Sequence, residues 1–338
     1  MDQLAEDGAS GQPQRAIRVM MNPTRRCVVS DLKLFRITQG LATELQSSSV
    51  ALERSLQQTI ERNMEVLFGV RLLASEFSTG IRHGGRMDSL GIDENGSPVI
   101  FEYKRAVNEN VINQGLFYLD WLMDHRGDFK VLVLDRLGAE GAESIDWRNP
   151  RLICVASGFT RYDEYAVQQM NRSIDLVRYR DFGGDLLALD LVHSSKVETT
   201  TSTDAPDAKP RVANAGKPQA YKTVTEALEQ SSDRVKDLYG QLEAFATALG
   251  DDVSQKTLKY YVAYRRLKNF LCVEVLAQRG ELALYVKVDP DTVDLVDGFT
   301  RDVRQIGHFG TGGLEIRVND SEALGNALPL IQRSYEES

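Results

Sequence analysis

Three side chains in the stretch GGRMDSLGIDENGSPVIFEYKR, residues 84–105, have the types and spacing to hold a hard cation: Asp88, Glu102 and Lys104. Side chains alternate across an extended strand, so Glu102 and Lys104 share a face with Ile100, while Val99, Phe101 and Tyr103 take the other. Asp93-Glu94-Asn95-Gly96 is a strong hairpin turn, because Asn-Gly accommodates the positive φ that a tight turn demands. Folding back there brings Asp88 beside Glu102. Two carboxylates so close repel one another without a cation, and hard divalent ions such as Mg²⁺ favour oxygen ligands of this kind. Such an ion polarises a phosphoryl oxygen and lowers the pKa of a bound water. A neighbouring ammonium can orient that water or stabilise charge developing on the phosphate. The same three residues would also suit an ordinary cross-strand ion pair.

The elements that must position these groups follow from periodicity. Residues 48–67 read as a helix: Ser48 or Ser49 can cap it, and Leu52, Leu56, Ile60, Met64 and Leu67 recur at helical spacing. Glu53 on this helix could reach over the site, whereas Glu61 and Glu65 read as a solvated face. Strands are expected at 28–38, 70–77, 85–92 and 98–104, followed by a helix over 108–125. Gln114 and Tyr118 are four apart and lie on one face of it. Residues 129–135, FKVLVLD, read as a buried central strand. A strand at 151–156, a helix at 160–172 and strands at 174–180 and 185–192 complete this part. The order helix, three strands, helix, strand predicts an α/β (mixed α+β) fold, a mixed sheet flanked by helices.

The succession Glu53 … Asp88 … Glu102-Tyr103-Lys104 … Gln114-x-x-x-Tyr118 resembles the PD-(D/E)xK nuclease superfamily. It is most similar to the C-terminal nuclease domain of NucS-type endonucleases, and the Gln-x-x-x-Tyr element also resembles that of RecB-type nucleases. The resemblance covers 49–125, and Met87 stands where the motif's proline would be. It implies a restriction-endonuclease-like core (αβββαβ). Asp88, Glu102 and the main-chain carbonyl of Tyr103 would bind Mg²⁺ or Mn²⁺, and Lys104 would serve the attacking water. Glu53 would be the first-helix acid, with Gln114 and Tyr118 positioning the site or the substrate. The implied activity is a metal-dependent deoxyribonuclease, with DNA as partner, RNA as a further substrate class and a homodimer as one assembly. DNA repair and defence against foreign DNA both suit such a protein. Arg71, Arg82, Arg86 and Arg105, with His83, cluster in sequence beside the motif and would supply a small basic cleft for phosphates. The alternative is a catalytically silent nucleic-acid-binding or protein-interaction module on the same fold.

Composition bounds these readings. The chain has 338 residues, 42% hydrophobic and 26% charged, enough for two cores. Its net charge of -9 argues against an extensive DNA-wrapping surface, so any positive surface must be local. Cys27, Cys154 and Cys272 are scattered, which excludes a disulfide framework or structural zinc site. No apolar run is long enough to span a bilayer, the N-terminus is unlike a secretory signal, and the expected location is cytoplasmic.

Residues 1–27 read as a disordered extension, 28–195 as the nuclease-like domain, 196–219 as a linker rich in Thr, Ala, Pro and Lys, and 220–338 as an accessory α+β domain. The accessory part should hold a helix or helix pair over 221–248, strands at 257–263, 270–276, 282–288 and 314–318, and a helix near 321–335. The loop HFGTGG, 308–313, lacks a Lys-Ser/Thr ending and precedes a strand, so it reads as a tight turn. Tyr260, Tyr261, Tyr264, Arg265, Arg266 and Lys268 interleave aromatic and basic side chains; such a set could stack bases or could divide between core and solvated edge. The ending GFTRDVRQIGHFGTGGLEIRV resembles a small domain of unassigned function that recurs in bacterial chains labelled predicted transport proteins.

Overall fold

The structure is a computed structural model that describes residues 32–48, 53–80, 84–105, 110–183, 185–195 and 223–338. The extension over 1–27 and the linker over 196–219 lie outside the described residues. The chain divides into two compact units, Met1–Gln46 and Ser47–Ser338. In the first, β1 (Leu34–Thr38) and β2 (Leu41–Leu45) form an antiparallel hairpin. Its turn residues Gln39 and Gly40 both have positive φ, which matches the right-handed twist of the strands they join.

The second unit begins with α1 (Glu53–Arg62) and α2 (Met64–Phe68). The single helix expected over 48–67 is interrupted because Asn63 leaves helical geometry, at φ -122° and ψ 16°. Strands β3 (Val70–Ser78), β4 (Arg86–Asp93) and β5 (Pro98–Lys104) follow, then α3 (Asn110–Asp124) and α4 (Arg126–Glu143). Next come β6 (Arg151–Ala156), α5 (Arg161–Gln168), β7 (Ser173–Asp181) and β8 (Leu187–Ser194). The six strands pair in sequence order, antiparallel from β3 to β5, parallel from β5 to β7 and antiparallel for β8. Strands β5 and β6 are buried on both faces, which explains their nearly unbroken apolar sequences. Helices α1 and α2 cover one face through Leu56, Ile60, Met64 and Phe68. Helices α3, α4 and α5 cover the other through Leu119, Leu122, Phe129, Val133 and Val167.

The strand expected at 129–135 is part of α4. Its apolar residues divide by helical period: Phe129 and Val133, four apart, are buried, while Val131 and Leu134 face outward. The expected order of helix, three strands, helix, strand is therefore met with 151–156, not 129–135, as the fourth strand, and with two additional helices, α2 and α4.

A second six-stranded sheet, mixed with helices in an α+β arrangement, occupies the C-terminal part. Helices α6 (Val224–Glu229) and α7 (Asp233–Ala248) lead into β9 (Ser254–Thr257), β10 (Val262–Arg265), β11 (Asn269–Leu276), β12 (Glu281–Val286), β13 (Thr300–Asp302) and β14 (Leu314–Val318), and α8 (Ser321–Glu336) ends the chain. All neighbours pair antiparallel, in the order β13-β14-β12-β11-β10-β9. The strand expected at 257–263 is broken by a turn over 258–261, closed by Leu258 N–H donating to Tyr261 O at 2.8 Å, with Thr257 ending β9 and Val262 beginning β10. The three helices pack on one face of this sheet.

Its remaining surface grips the β4–β5 turn. Lys287 is ion-paired with Glu94, whose Oε2 also accepts the Asn269 N–H at 3.0 Å. Lys256 bonds to Ser97 and lies 3.2 Å from Asp146. Arg151 bridges Asp93 at 3.2 Å and Asp175 at 2.7 Å, with Arg265 3.9 Å from each. All four of these last residues are buried, so each charge is tolerated only because its partners are present. Gly96 closes the turn at φ +78°, where a Cβ would lie 2.4 Å from Ser144 O. Among the described residues no helix is long and apolar enough to cross a membrane.

Candidate metal centre

The β4–β5 ladder runs from Ile92↔Pro98 to Ser89↔Phe101 and stops there. Beyond it the strands part, while β5 keeps its parallel pairing with β6 through Lys104↔Ala156. Acidic side chains occupy the opening. Asp88 Oδ2 accepts the Tyr103 N–H at 2.9 Å, and Glu102 Oε1 accepts the Asp88 N–H at 3.4 Å. In a strand the N–H and C=O of one residue face the same neighbour, so the Tyr103 carbonyl opens onto the same gap.

Burial sets the protonation of this pair. Glu102 is fully buried, and its Oε2 has no hydrogen-bond partner among the described residues. Loss of hydration, reinforced by the charge of Asp88, pushes its carboxyl up to about 9 against the opposing pull of the Asp88 N–H and Lys104. Asp88, half-buried, is also raised, chiefly by burial, with the Tyr103 N–H and Lys104 acting in the other direction. A buried carboxylate oxygen with no donor is costly, and a divalent cation is the partner its chemistry calls for. Among the described residues no group of three or more His, Cys, Asp or Glu side chains forms a metal cage. Two carboxylates and a carbonyl instead suit Mg²⁺, which keeps several waters when bound. The residues present thus fit the ion that the family resemblance implies.

The remaining side chains enclose the pair. Lys104, largely buried, extends to 3.7 Å from Glu53 Oε2 at the start of α1. Tyr118 Oη accepts the Arg86 N–H at 3.1 Å and the Gln114 side-chain amide at 3.3 Å. Gln114 and Tyr118 therefore brace the first residue of β4, two positions before Asp88. Arg86 itself is exposed and pairs with Glu76 at 2.5 Å. Arg105 is exposed just past β5, and its carbonyl accepts the Tyr179 hydroxyl at 3.1 Å. Arg82 lies outside the described residues. Arg71 does not belong to this set: it pairs with Ile92 near the hairpin turn, whereas Arg86 pairs with Ser78 at the other end of the same two strands.

Several participants escape a reading of the sequence. Gln57 donates to the Asp88 carbonyl at 2.8 Å and to Glu61 at 3.0 Å. Glu61 in turn accepts from Ser89 Oγ at 2.6 Å, and Ser89 lies 3.1 Å from the Tyr103 hydroxyl. Glu61 is thus tied into a polar layer beneath the site, not onto a solvated face; Glu65 is exposed. The signal lay in the row Glu53, Gln57, Glu61, spaced by four beside the apolar row of Leu56 and Ile60. Glu76 bears on both Asp88 and Glu102 and raises them. It adopts φ +53°, an unusual conformation for a residue with a side chain. In the C-terminal part, Tyr261, Tyr264 and Arg265 are buried while Tyr260, Arg266 and Lys268 are partly exposed, so the aromatic and basic series 260–268 divides between core and edge.

A family model described as a domain of unknown function (DUF5655) matches residues 224–338, the stretch holding the second sheet and its helices. A protein of Haemophilus influenzae, described as an uncharacterized protein, is 24% identical over 308 residues, 90% of this chain and 100% of its own length. Among solved structures, the chain is similar to an EndoMS-dsDNA2 complex, with 22% identity over 39% of this chain and 47% of that one, at a TM-score of 0.28. It is also similar to a repair endonuclease from Pyrococcus abyssi, with 21% identity over 39% of this chain and 50% of that one, at a TM-score of 0.26. The match thus spans about half the length of each solved chain.

Proposed function

We propose that the chain is a metal-dependent nuclease that hydrolyses phosphodiester bonds in DNA at the centre on β4 and β5. The observation that carries this reading is the buried Glu102 Oε2, without a donor among the described residues, beside the Asp88 carboxylate where two strands part. Asp88, Glu102 and the Tyr103 carbonyl would hold Mg²⁺ or Mn²⁺. When bound, the ion supplies Lewis-acid polarisation of the phosphate and a more acidic water. Lys104 orients the attacking water and offsets charge on the phosphate, and Glu53 holds the ammonium in place. Gln114 and Tyr118 fix the start of β4 and so the position of Asp88. Arg86 and Arg105, with Arg82, contact backbone phosphates over a short stretch, in keeping with the net charge of -9. Residues 28–195 form the nuclease-like domain in this reading and 220–338 the accessory domain.

The test is incubation of the full chain with single-stranded DNA, duplex DNA and RNA in Mg²⁺ or Mn²⁺, beside Asp88→Ala and Lys104→Ala. Metal-dependent cutting of DNA should fall by about 10²-fold or more in both variants. Cutting that persists unchanged in both would remove this centre from consideration, and cutting confined to RNA would change the substrate.

A further inference from the structure

Helix α5 holds two tyrosines in water. Tyr162 is 69% exposed and Tyr165 68%, the two most exposed aromatic side chains among the described residues. They are three apart and share one side of the helix, opposite the buried Asp163 and Val167. Two neighbouring rings thus forgo the burial that aromatic side chains usually contribute.

The helix beneath them is fixed at its start. Thr160 Oγ1 accepts the Asp163 N–H at 3.2 Å, and the Asp163 carboxylate accepts the Thr160 N–H at 2.6 Å. Arg161 donates to the Tyr162 hydroxyl at 2.9 Å, with its guanidinium 4.9 Å from the ring centroid. Tyr165 makes no hydrogen bond or ring contact among the described residues.

Topology puts this pair on the edge of the sheet that carries the metal centre. Strands β5, β6 and β7 run parallel, and the carboxyl ends of such strands are where α/β folds gather ligands. Ala156, the last residue of β6, registers with Lys104, so the two strands leave the sheet side by side, about 4.8 Å apart. Tyr162 follows six residues later, no more than about 20 Å away along the chain. A strand that presents a phosphodiester to Asp88, Glu102 and Lys104 therefore passes within reach of α5. Tyrosine rings stack on any base whose face is free, which an unpaired base offers and a base inside a duplex does not. An arginine beside them suits a backbone phosphate.

We infer that Tyr162 and Tyr165 stack an unpaired base of the strand cut at the metal centre, with Arg161 against the adjoining phosphate. This rests on the nuclease reading and deepens it: α5 becomes a specificity element, and the substrate is a strand left unpaired a few nucleotides from the cut.

Fluorescence anisotropy of the full chain in EDTA, where no strand is cut, tests this with a labelled short oligodeoxythymidylate and a labelled blunt duplex. Tyr162→Ala and Tyr165→Ala should each weaken binding of the single strand about tenfold. Tyr165→Phe, which keeps the ring, should restore it, and duplex affinity should not change. Circular dichroism checks that the variants fold; Tyr165→Phe serves against Arg161→Gln if an alanine variant does not, the latter weakening single-strand binding alone. A wild type that does not bind the single strand, unchanged affinity in the variants, or equal weakening for single strand and duplex would overturn the inference. So would a dimer that Tyr165→Ala dissociates, which would make this face an interface between copies. Cutting in Mg²⁺ or Mn²⁺ decides the nuclease reading separately: tyrosine-dependent binding without any cutting leaves the stacking surface and removes the nuclease, and Asp88-dependent cutting with unaltered binding in the tyrosine variants does the reverse.

Discussion

The side chains of Asn95 and Asn269, 174 residues apart in sequence, exchange two hydrogen bonds across the seam between the two sheets, at 3.1 and 2.8 Å. The Tyr261 hydroxyl adds a third bond, to Asn95 Oδ1 at 3.1 Å. Both amides are buried, so neither can turn to water if its partner is lost. Asn269→Ala should destabilise the chain by about 1–3 kcal/mol, the cost of leaving a buried amide unsatisfied. Urea unfolding at neutral pH measures this, and an unchanged midpoint would show that the seam does not contribute.

Glu102 should make metal-free stability pH-dependent. Its folded carboxyl, at about 9, lies above the ordinary 4.5, so the folded state holds a proton that the unfolded state has released. Its contribution is intact below pH 4.5 and is lost progressively as pH rises toward 9. Glu102→Gln removes that loss. In EDTA, the variant should match the wild type near pH 4.5 and exceed it by roughly a few kcal/mol at pH 8. Urea midpoints across this range give the curve, and a constant difference would contradict it.

The same proton should be expelled by a metal ion. Near pH 7.5, Mn²⁺ titrated into the wild type in buffers of differing ionisation enthalpy should release about one proton per ion. Glu102→Gln should bind Mn²⁺ more weakly and release less.

Tyr118→Phe deletes the hydroxyl that accepts both the Arg86 N–H and the Gln114 amide. A loss of about 1 kcal/mol in stability is expected. Cutting should fall through kcat more than KM, because the start of β4 loosens without loss of a metal ligand. Hydrogen exchange at Arg86 should accelerate. Equal kinetics and exchange would leave Tyr118 with no positioning role.

Gly115 tests how closely α3 packs on β6. A Cβ there would lie 2.4 Å from a Leu152 methyl. Helix propensity favours Ala over Gly, yet overpacking should dominate, and Gly115→Ala should cost about 1–3 kcal/mol. Adding Leu152→Ala should relieve the clash, so the double variant should lose less than the sum of the two single losses. Strict additivity in thermal unfolding would show that the contact yields freely.

The hairpin with its Asn-Gly turn, and the meeting of Asp88 with Glu102, are legible because strand alternation and turn chemistry are local rules. Residues 129–135 misled because Val131 and Val133 carry strand propensity while the choice was made by tertiary burial of Phe129 and Val133 on one helical face. Glu76 was hidden because its positive φ belongs to the backbone and leaves no mark on residue type. Arg71 misled because closeness in sequence along a strand becomes distance along its axis. The polar seam was unreadable since its partners are far apart in the chain and have no period.

The grip of the second sheet on the β4–β5 turn has a consequence for anyone building chimeras. The polar groups of that turn are satisfied by Lys256, Asn269 and Lys287, so the first sheet cannot be grafted alone onto a foreign accessory domain without stranding Glu94, Asn95 and Ser97. Exchange between related chains should succeed only when both sides travel together: Asn95 with Asn269, Glu94 with Lys287 and Ser97 with Lys256.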